Sequence, residues 1–386
     1  MRVIVMGAGI AGLNLMHELR RRGITDVTVL DKVHQFEHIG AGIHIGTWGL
    51  TVLDANGAGE AVRASGYPYR ARRYLDRHGT TVGLVDLEDR ARRYGGVTGA
   101  LLHRADLHQA LLQGLPTEQI KTDVHVTDIE NDVDCVRVGT RNDGVFEADV
   151  LIGCDGLHSH VRESVFAGTP HPLGKRVVRT IIPNHAGVTE FEVYRGIGSS
   201  VGITPLPNDE AYMWFNFNAH PSDRNVIHDH GITALRELMS TYTAPHVQAC
   251  LDGIKDPSHL LVTDLHEVTV DPWYLNRVVL CGDAAHAMSP STGSGGTMAI
   301  EDGFVLAREL GRADAGEIPL EVALDNYYSQ RLPRVEGTRA RTRLASHDNN
   351  LATEELCRRR DERDRIAMAD PDYHAFEVTD ALTDLD

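Results

Sequence analysis

The sequence predicts an α/β protein: a Rossmann-like nucleotide-binding domain, split by an inserted antiparallel sheet and followed by C-terminal helices. Three observations predict it. A glycine turn, Gly7-x-Gly9-x-x-Gly12, follows an apolar strand at the start of the chain. Late in the chain another strand, Arg277–Cys281, runs into Gly282-Asp283-Ala284-Ala285-His286 and a loop with glycines at 293, 295 and 296. Between them, from residue 174 to 266, the composition changes to alternating, strand-like runs.

Each element has its own signal. Val3–Met6 is a continuous apolar run of the kind buried on both faces of a parallel sheet. An apolar-periodic helix follows from Ile10 to Arg22, ended by Gly23. Val27–Leu30 is the next strand, with Asp31 at its end, roughly twenty residues beyond the glycines as in a dinucleotide fingerprint. In that setting Gly7 permits the tight turn and Gly9 lets the backbone approach a pyrophosphate. Gly12 lets helix and strand pack closely, and Asp31 accepts from ribose hydroxyls.

The segment Ile39–Gly46 carries glycines at 40, 42 and 46, which suggests backbone against something flat or bulky. A helix is expected from Thr47 to Asn56, a hairpin over 69–85 around His78-Gly79, and a helix opened by Arg104. A three-stranded antiparallel excursion begins at Val124. Asp149–Gly153 then runs into Cys154-Asp155-Gly156, where Ser159 can cap the next helix.

In the middle block, strands are expected at 176–182, 190–195, 199–204 and 211–218, and a helix at 232–242. Alternation puts Tyr212, Trp214 and Asn216 on one face and Met213, Phe215 and Phe217 on the other. One face packs on a core; the other lines a cavity or meets solvent. After residue 302 the chain reads as amphipathic helices, 320–331 and 335–346, kinked or separated by Pro333, then a charged, solvated helix at 354–365. The boundaries expected are 1–172 and 267–312 for the two parts of the nucleotide domain, 173–266 for the inserted sheet and 313–386 for the C-terminal helices.

Bulk properties narrow the function. With 386 residues and 42% hydrophobic content, the chain can bury a large core. A formal charge of −17 argues against nucleic acid as a partner. No run of about eighteen apolar residues suggests a membrane span, and the N-terminus enters a strand directly, so a cytoplasmic protein is expected. The five cysteines are scattered without metal-ligand spacing, which reads as reduced thiols and no metal site.

The glycine turn at 7–12, Cys154-Asp155-Gly156 in its strand–turn–helix setting, and Gly282-Asp283-Ala284-Ala285-His286 together resemble the single-component FAD-dependent aromatic hydroxylases. This is the family of para-hydroxybenzoate, salicylate and 6-hydroxynicotinate hydroxylases, and the resemblance covers nearly the whole chain. It implies FAD as cofactor and a para-hydroxybenzoate hydroxylase-like fold. It implies that Gly7, Gly9, Ala11 and Gly12 cradle the pyrophosphate, that Asp31, with Lys32, meets the adenosine ribose, and that Val126 lies beside the adenine. Arg104 touches the ribityl and pyrophosphate region, and Asp283 the ribityl hydroxyls. Gly42, Ile43, Pro290, Gly293, Gly295 and Gly296 surround the isoalloxazine, while Asp155 and Gly156 serve both FAD and NAD(P)H.

The implied reaction is hydroxylation of an aromatic or heteroaromatic small molecule with NAD(P)H and O2, through a flavin C4a-hydroperoxide. Such chemistry wants a base that removes a phenol-like proton. The candidates are His44, in the glycine-rich segment, and Tyr212, on the aromatic strand. His286 reads as structuring the turn after Asp283, and Trp214 as packing. Arg70, Arg72, Arg73, Arg90, Arg92 and Arg93 read as solvated charges or as steering groups for an anion. Three alternatives stay open: a non-oxygenating FAD oxidoreductase, a tetracycline-type monooxygenase acting on polycyclic antibiotics, and a nucleotide sensor without turnover. A monomer or homodimer is expected.

Overall fold

Val3–Met6 is buried at every position, and it pairs in parallel with Val27–Leu30 on one side and Val150–Gly153 on the other. Val150–Gly153 pairs in parallel with Val278–Leu280. Short strands at 120–121 and 274–275 complete a six-stranded sheet. The structure, a computed structural model, describes residues 1–36, 41–94, 98–219 and 226–370. Ile39 and Gly40, and the side chains of Arg90 and Arg93, lie outside the described residues.

Because the four central strands are parallel, their carboxyl ends share one edge. Gly7, Asp31, Asp155 and Asp283 therefore come together from positions spread over most of the chain, where α/β sheets bind ligands. Helices Ile10–Arg21 and Gly295–Asp314 pack on each other over this sheet. Asn14 is fully buried between them and donates from Nδ2 to the Ile300 carbonyl at 3.0 Å.

A second sheet of seven strands lies in the order 261–267, 171–183, 210–218, 199–206, 191–195, 71–76 and 81–86. Its last two strands are the hairpin the sequence shows near His78-Gly79. Far from being only a local excursion, it joins the middle sheet by parallel pairing of Phe191–Arg195 with Arg72–Asp76. Met213, Phe215 and Phe217 pack into a core with Val201, Ile203 and Tyr242. The opposite face, with Tyr212, Trp214 and Asn216, looks onto a cavity. A small sheet of Gly42–Ile45, Gly99–His103 and Tyr67–Tyr69 adjoins the same cavity through Gly42 and Ile43.

Three expectations about helices change. Pro333 does not separate two helices; one helix runs Leu320–Asp348 through it. Pro333 lies on the exposed face, whereas Arg331, Val335, Thr338 and Arg339 on both sides are buried, so tertiary packing holds the turn that lacks a donor. The charged helix Glu354–Ala367 is not solvated all round: Cys357, Arg360 and Asp364 are buried. Its interface is ionic, with Arg195 donating to Asp364 at 2.6 Å and Asp361 at 3.1 Å, so hydrophobic patterning gave no sign of it. In the middle block the helix runs Val226–Leu238 and is broken at Gly231, whose φ is 55°.

Candidate functional site

A cavity of about 1030 Å³ lies between the carboxyl edge of the parallel sheet and the open face of the seven-stranded sheet. The first glycine turn forms one end. Gly7 has φ 99°, and a Cβ there would sit 2.5 Å from the Cys154 carbonyl oxygen. Gly9 meets open space and faces the cavity. The helix beginning at Ile10 has no side-chain cap, so its first N–H groups are left for a ligand. Ala11 and Lys32 share this wall.

Gly12 does not reach the wall; a Cβ there would meet the Gly7 carbonyl oxygen at 1.9 Å, so it serves the close helix–strand contact. Asp31 is on the wall, and its carboxylate accepts from Ala8 N at 2.7 Å and Val33 N at 2.9 Å. Those bonds tie the glycine turn to the second strand. Arg104 and Val126 line the same region.

The other acidic turn is held from behind. Gly282 has φ 63° and donates its N–H to Asp302 Oδ2 at 3.0 Å. His286 Nε2 donates to the same oxygen at 2.6 Å, and Arg331 Nε to Oδ1 at 2.7 Å. Arg331 also reaches Glu301 at 2.8 Å. Burial alone would raise the Asp302 carboxyl, but His286 and Arg331 bring it down to about 2. His286 is 1% exposed and absent from the cavity wall, so it positions the turn. Asp283 stands exposed on the wall.

Nearby, helix Gly295–Asp314 begins without a side-chain cap, and Gly295 and Gly296 face the cavity together with Pro290 and Gly293. Asp155 and Gly156 are also on the wall. Burial pushes the Asp155 carboxyl up, against hydrogen bonds from Ser159 Oγ at 2.5 Å and Val161 N at 3.1 Å. Ser159 in turn accepts from Arg162 N as the expected helix cap.

Of the described glycines in the segment 41–46, Gly42 lies against the Tyr212 ring and Gly46 beside Thr297, while His44 of the same segment lies on Gly293. A Cβ on Gly42 would lie 2.5 Å from Tyr212 Cγ, and one on Gly293 1.9 Å from His44 Cε1. His44 sits beside Tyr69 and Phe191, with ring centroids 5.3 and 6.2 Å away. His44, Ile43 and Tyr212 all face the cavity. Burial pushes the Tyr212 hydroxyl up to about 12, although a hydrogen bond and the charge of Arg179 lower it. At neutral pH Tyr212 is therefore a phenol suited to donating a hydrogen bond, and poorly matched to the work of a base.

Several wall residues are missing from the sequence reading. Arg179, Thr204, Phe191 and Arg195 come from alternate positions of strands that were expected, but which face turned inward was not legible. Of the arginines near the hairpin, Arg72 is on the wall, its guanidinium 5.0 Å from the Phe191 ring centre. Arg73 instead pairs with Glu190 at 2.7 Å. Trp214 is on the wall too, laid over Gly202, where a Cβ would meet its Cε2 at 2.0 Å.

The donor set fits an elongated nucleotide: two uncapped helix N-termini face one cavity, with carboxylates at 31 and 283 to take hydroxyl protons. Among the described residues, no group of three or more His, Cys, Asp or Glu is placed to hold a metal, and no helix is long and apolar enough to cross a membrane.

Comparison with known proteins agrees with this geometry. A family model described as FAD binding domain matches residues 1–342. The 3-amino-4-hydroxybenzoate 2-monooxygenase of Streptomyces cremeus is 29% identical, over 97% of this chain and 94% of that protein. The 3-hydroxybenzoate 6-hydroxylase 1 of Aquipseudomonas alcaligenes is 30% identical, over 89% of this chain and 88% of that protein. Klebsiella pneumoniae HpxO complexed with FAD and uric acid shares the fold, with a TM-score of 0.89 at 24% identity over 100% of this chain and 98% of that one.

Proposed function

The chain belongs to the FAD binding domain family and is an FAD-dependent aromatic monooxygenase, and on that premise we propose how its residues divide the work. The observation that carries the reading is the single cavity, whose floor presents two uncapped helix ends and whose ceiling presents aromatic side chains. When bound, FAD supplies reduction by NAD(P)H and activation of O2 for transfer of one oxygen atom to a ring.

The chain's residues hold and shield that chemistry. Gly7, Gly9, Ala11 and the N–H groups after them take the diphosphate, with Gly12 keeping the helix close enough to do so. Asp31 and Lys32 meet the adenosine side, Val126 the adenine, and Arg104 the linker. Asp283 accepts from the ribityl hydroxyls. The Gly295 and Gly296 amides, at the positive end of a 20-residue helix, face the ring edge where reduction places negative charge. Pro290, Gly293, Gly42 and Ile43 flank the ring. Asp155 and Gly156 shape the approach used by NAD(P)H.

The substrate is a small aromatic or heteroaromatic ring lying under Trp214 and Phe191. His44 takes its phenol-type proton, which raises ring electron density, and Tyr212 donates a hydrogen bond to the resulting oxygen. Residues 1–172 and 267–312 would form the FAD domain, 173–266 most of the substrate ceiling, and 313–386 the helices closing one side. The net charge of −17 argues against a nucleic acid partner and the five free cysteines fit a cytoplasmic enzyme, which we take to act as a monomer or homodimer.

A substrate panel tests the reading. The purified yellow protein should oxidise NAD(P)H faster with a suitable hydroxylated ring, and one atom of labelled O2 should enter the product. His44→Ala should lower kcat by about 10²-fold or more, as loss of a general base does, while FAD is retained. A product without added oxygen would assign a non-oxygenating oxidoreductase instead.

A further inference from the structure

A buried carboxamide left without partners destabilises a fold, because its donor and acceptor have given up water for nothing. Asn14 and Asn350 find partners in this chain. Asn14 donates to the Ile300 carbonyl and accepts from Asn56 Nδ2, each at 3.0 Å, and Asn350 donates to the Ser346 carbonyl at 2.7 Å.

Asn216 is different. It is 4% exposed and stands on the cavity wall, and its Oδ1 makes no hydrogen bond among the described residues. Register explains why. Its neighbours across the sheet are Val177 on one side, which has nothing to offer, and Ser200 on the other. Ser200 is fully buried, and its Oγ is unbonded as well. The two polar side chains therefore stand side by side without using each other.

The ionic groups at this end of the cavity are already matched. Asp348, Asp361 and Asp364 stand against Arg195, Arg360 and Arg363, three against three, in pairs of 2.6 to 3.1 Å. Neither a carboxylate nor an ammonium finds an open counter-charge in that cluster. The capacity left over is the neutral acceptor of Asn216, which calls for an N–H or O–H.

Strand geometry sets the reach. Alternate residues of a strand are about 7 Å apart, so Asn216 lies about 7 Å beyond Trp214 and about 13 Å beyond Tyr212 on the same face. Tyr212 lies on Gly42, at the end where the flavin ring is placed above. A ring under Trp214 falls short of Asn216. Allowing about 3 Å for the hydrogen bond leaves roughly 4 Å to span, the length of two or three bonds.

We propose that Asn216 receives a second, uncharged group of the substrate: an arm two or three bonds long, ending in an N–H or O–H donor such as a primary carboxamide, on the ring that lies under Trp214. This rests on the monooxygenase reading above and extends it from a ring to a ring with an arm. Capacity unused in the free protein becomes specificity in the complex, because an arm without a donor leaves Oδ1 unpaired. The nicotinamide carboxamide of NAD(P)H has the same chemistry, and the test separates the two sources.

The FAD-loaded protein is titrated with three phenols, each as its 3-hydroxy and 4-hydroxy isomer, and binding is read from the flavin absorbance. They are the (hydroxyphenyl)propanamide, its methyl ketone isostere (hydroxyphenyl)butan-2-one, and hydroxybenzamide, whose amide is too close to the ring to reach Asn216. For at least one isomer the wild type should bind the propanamide about tenfold or more tighter than the ketone. Asn216→Leu should reduce that preference to under about threefold and move the hydroxybenzamide affinity less than about twofold. It should also raise the melting temperature of the ligand-free holoenzyme, since it removes an unpaired polar group. Asn216→Asp, which keeps an acceptor, should keep part of the preference. A lower melting temperature in Asn216→Leu with the preference unchanged assigns Asn216 to the fold. A change confined to the NAD(P)H concentration for half-maximal flavin reduction assigns it to the reductant. Either result overturns the arm site. If the wild type binds propanamide and ketone alike while ring compounds still stimulate NAD(P)H oxidation, the arm site fails and the monooxygenase reading stands. If no ring compound stimulates NAD(P)H oxidation at all, the underlying reading fails and the arm site with it.

Discussion

At the scale of single residues, the carboxylate that matters most to the acidic turn is not the one facing the cavity. Asp302 is fully buried, takes hydrogen bonds from Gly282, His286 and Arg331, and so fixes where Asp283 points. Removing one partner of such a cluster leaves charge uncompensated, which costs about 3–5 kcal/mol. Asp302→Asn should therefore lower the melting temperature and the FAD content together. The sign of the pH dependence follows from the carboxyl being held at about 2 when folded, against an ordinary value of 3.8. Its contribution is complete above the ordinary value and is lost as pH falls toward about 2. Urea unfolding of the wild type between pH 5 and pH 3 should show a falling stability, and the Asn variant should show a shallower fall. An equal slope in both proteins would contradict the assignment.

At the scale of elements, the loop after the second acidic turn is shaped by what it has to accommodate. Gly293 has φ 68°, and its missing side chain makes room for the His44 imidazole, so one position satisfies both a backbone and a packing requirement. Gly293→Ala should displace His44 and lower substrate-stimulated NAD(P)H oxidation by an order of magnitude, measured at full FAD occupancy. Gly23→Ala is the comparison. Gly23 also has positive φ, 87°, but a Cβ there meets nothing within 4 Å. It should cost only the left-handed strain, roughly 1–2 kcal/mol, and leave turnover intact. The terminal helix makes a related point. Its charged composition reads as solvated, yet Asp364 is buried because Arg195 of the sheet supplies the counter-charge, and Arg360 is buried against Asp361 and the Asp348 carbonyl. A pattern search for apolar stripes does not detect an ionic interface.

At the scale of the molecule, two layers with separate cores meet across the cavity, so a ligand filling it bridges them. Binding to the folded state alone stabilises by mass action, about 2.7 kcal/mol at a hundredfold excess over Kd. Thermal melts of the flavin-depleted protein should shift upward with added FAD in proportion to the logarithm of its concentration, and Asp283→Ala should reduce that shift. A melting temperature indifferent to FAD would contradict the bridging geometry. The sequence by itself determined the parallel sheet, both glycine turns and the two faces of the strand at 212–217. Each of these is local: a short apolar run, a glycine where φ is positive or backbone must approach, an alternation of period two. Only the tertiary structure decided that the hairpin at 71–86 extends the middle sheet, that His44 lies on Gly293 and Tyr212 on Gly42, and that Arg179 faces the cavity with Thr263 and Tyr212 as its partners among the described residues. Those facts depend on register between strands remote in sequence and on the dielectric and charge around a buried side chain, and neither quantity is carried by any local run of residues.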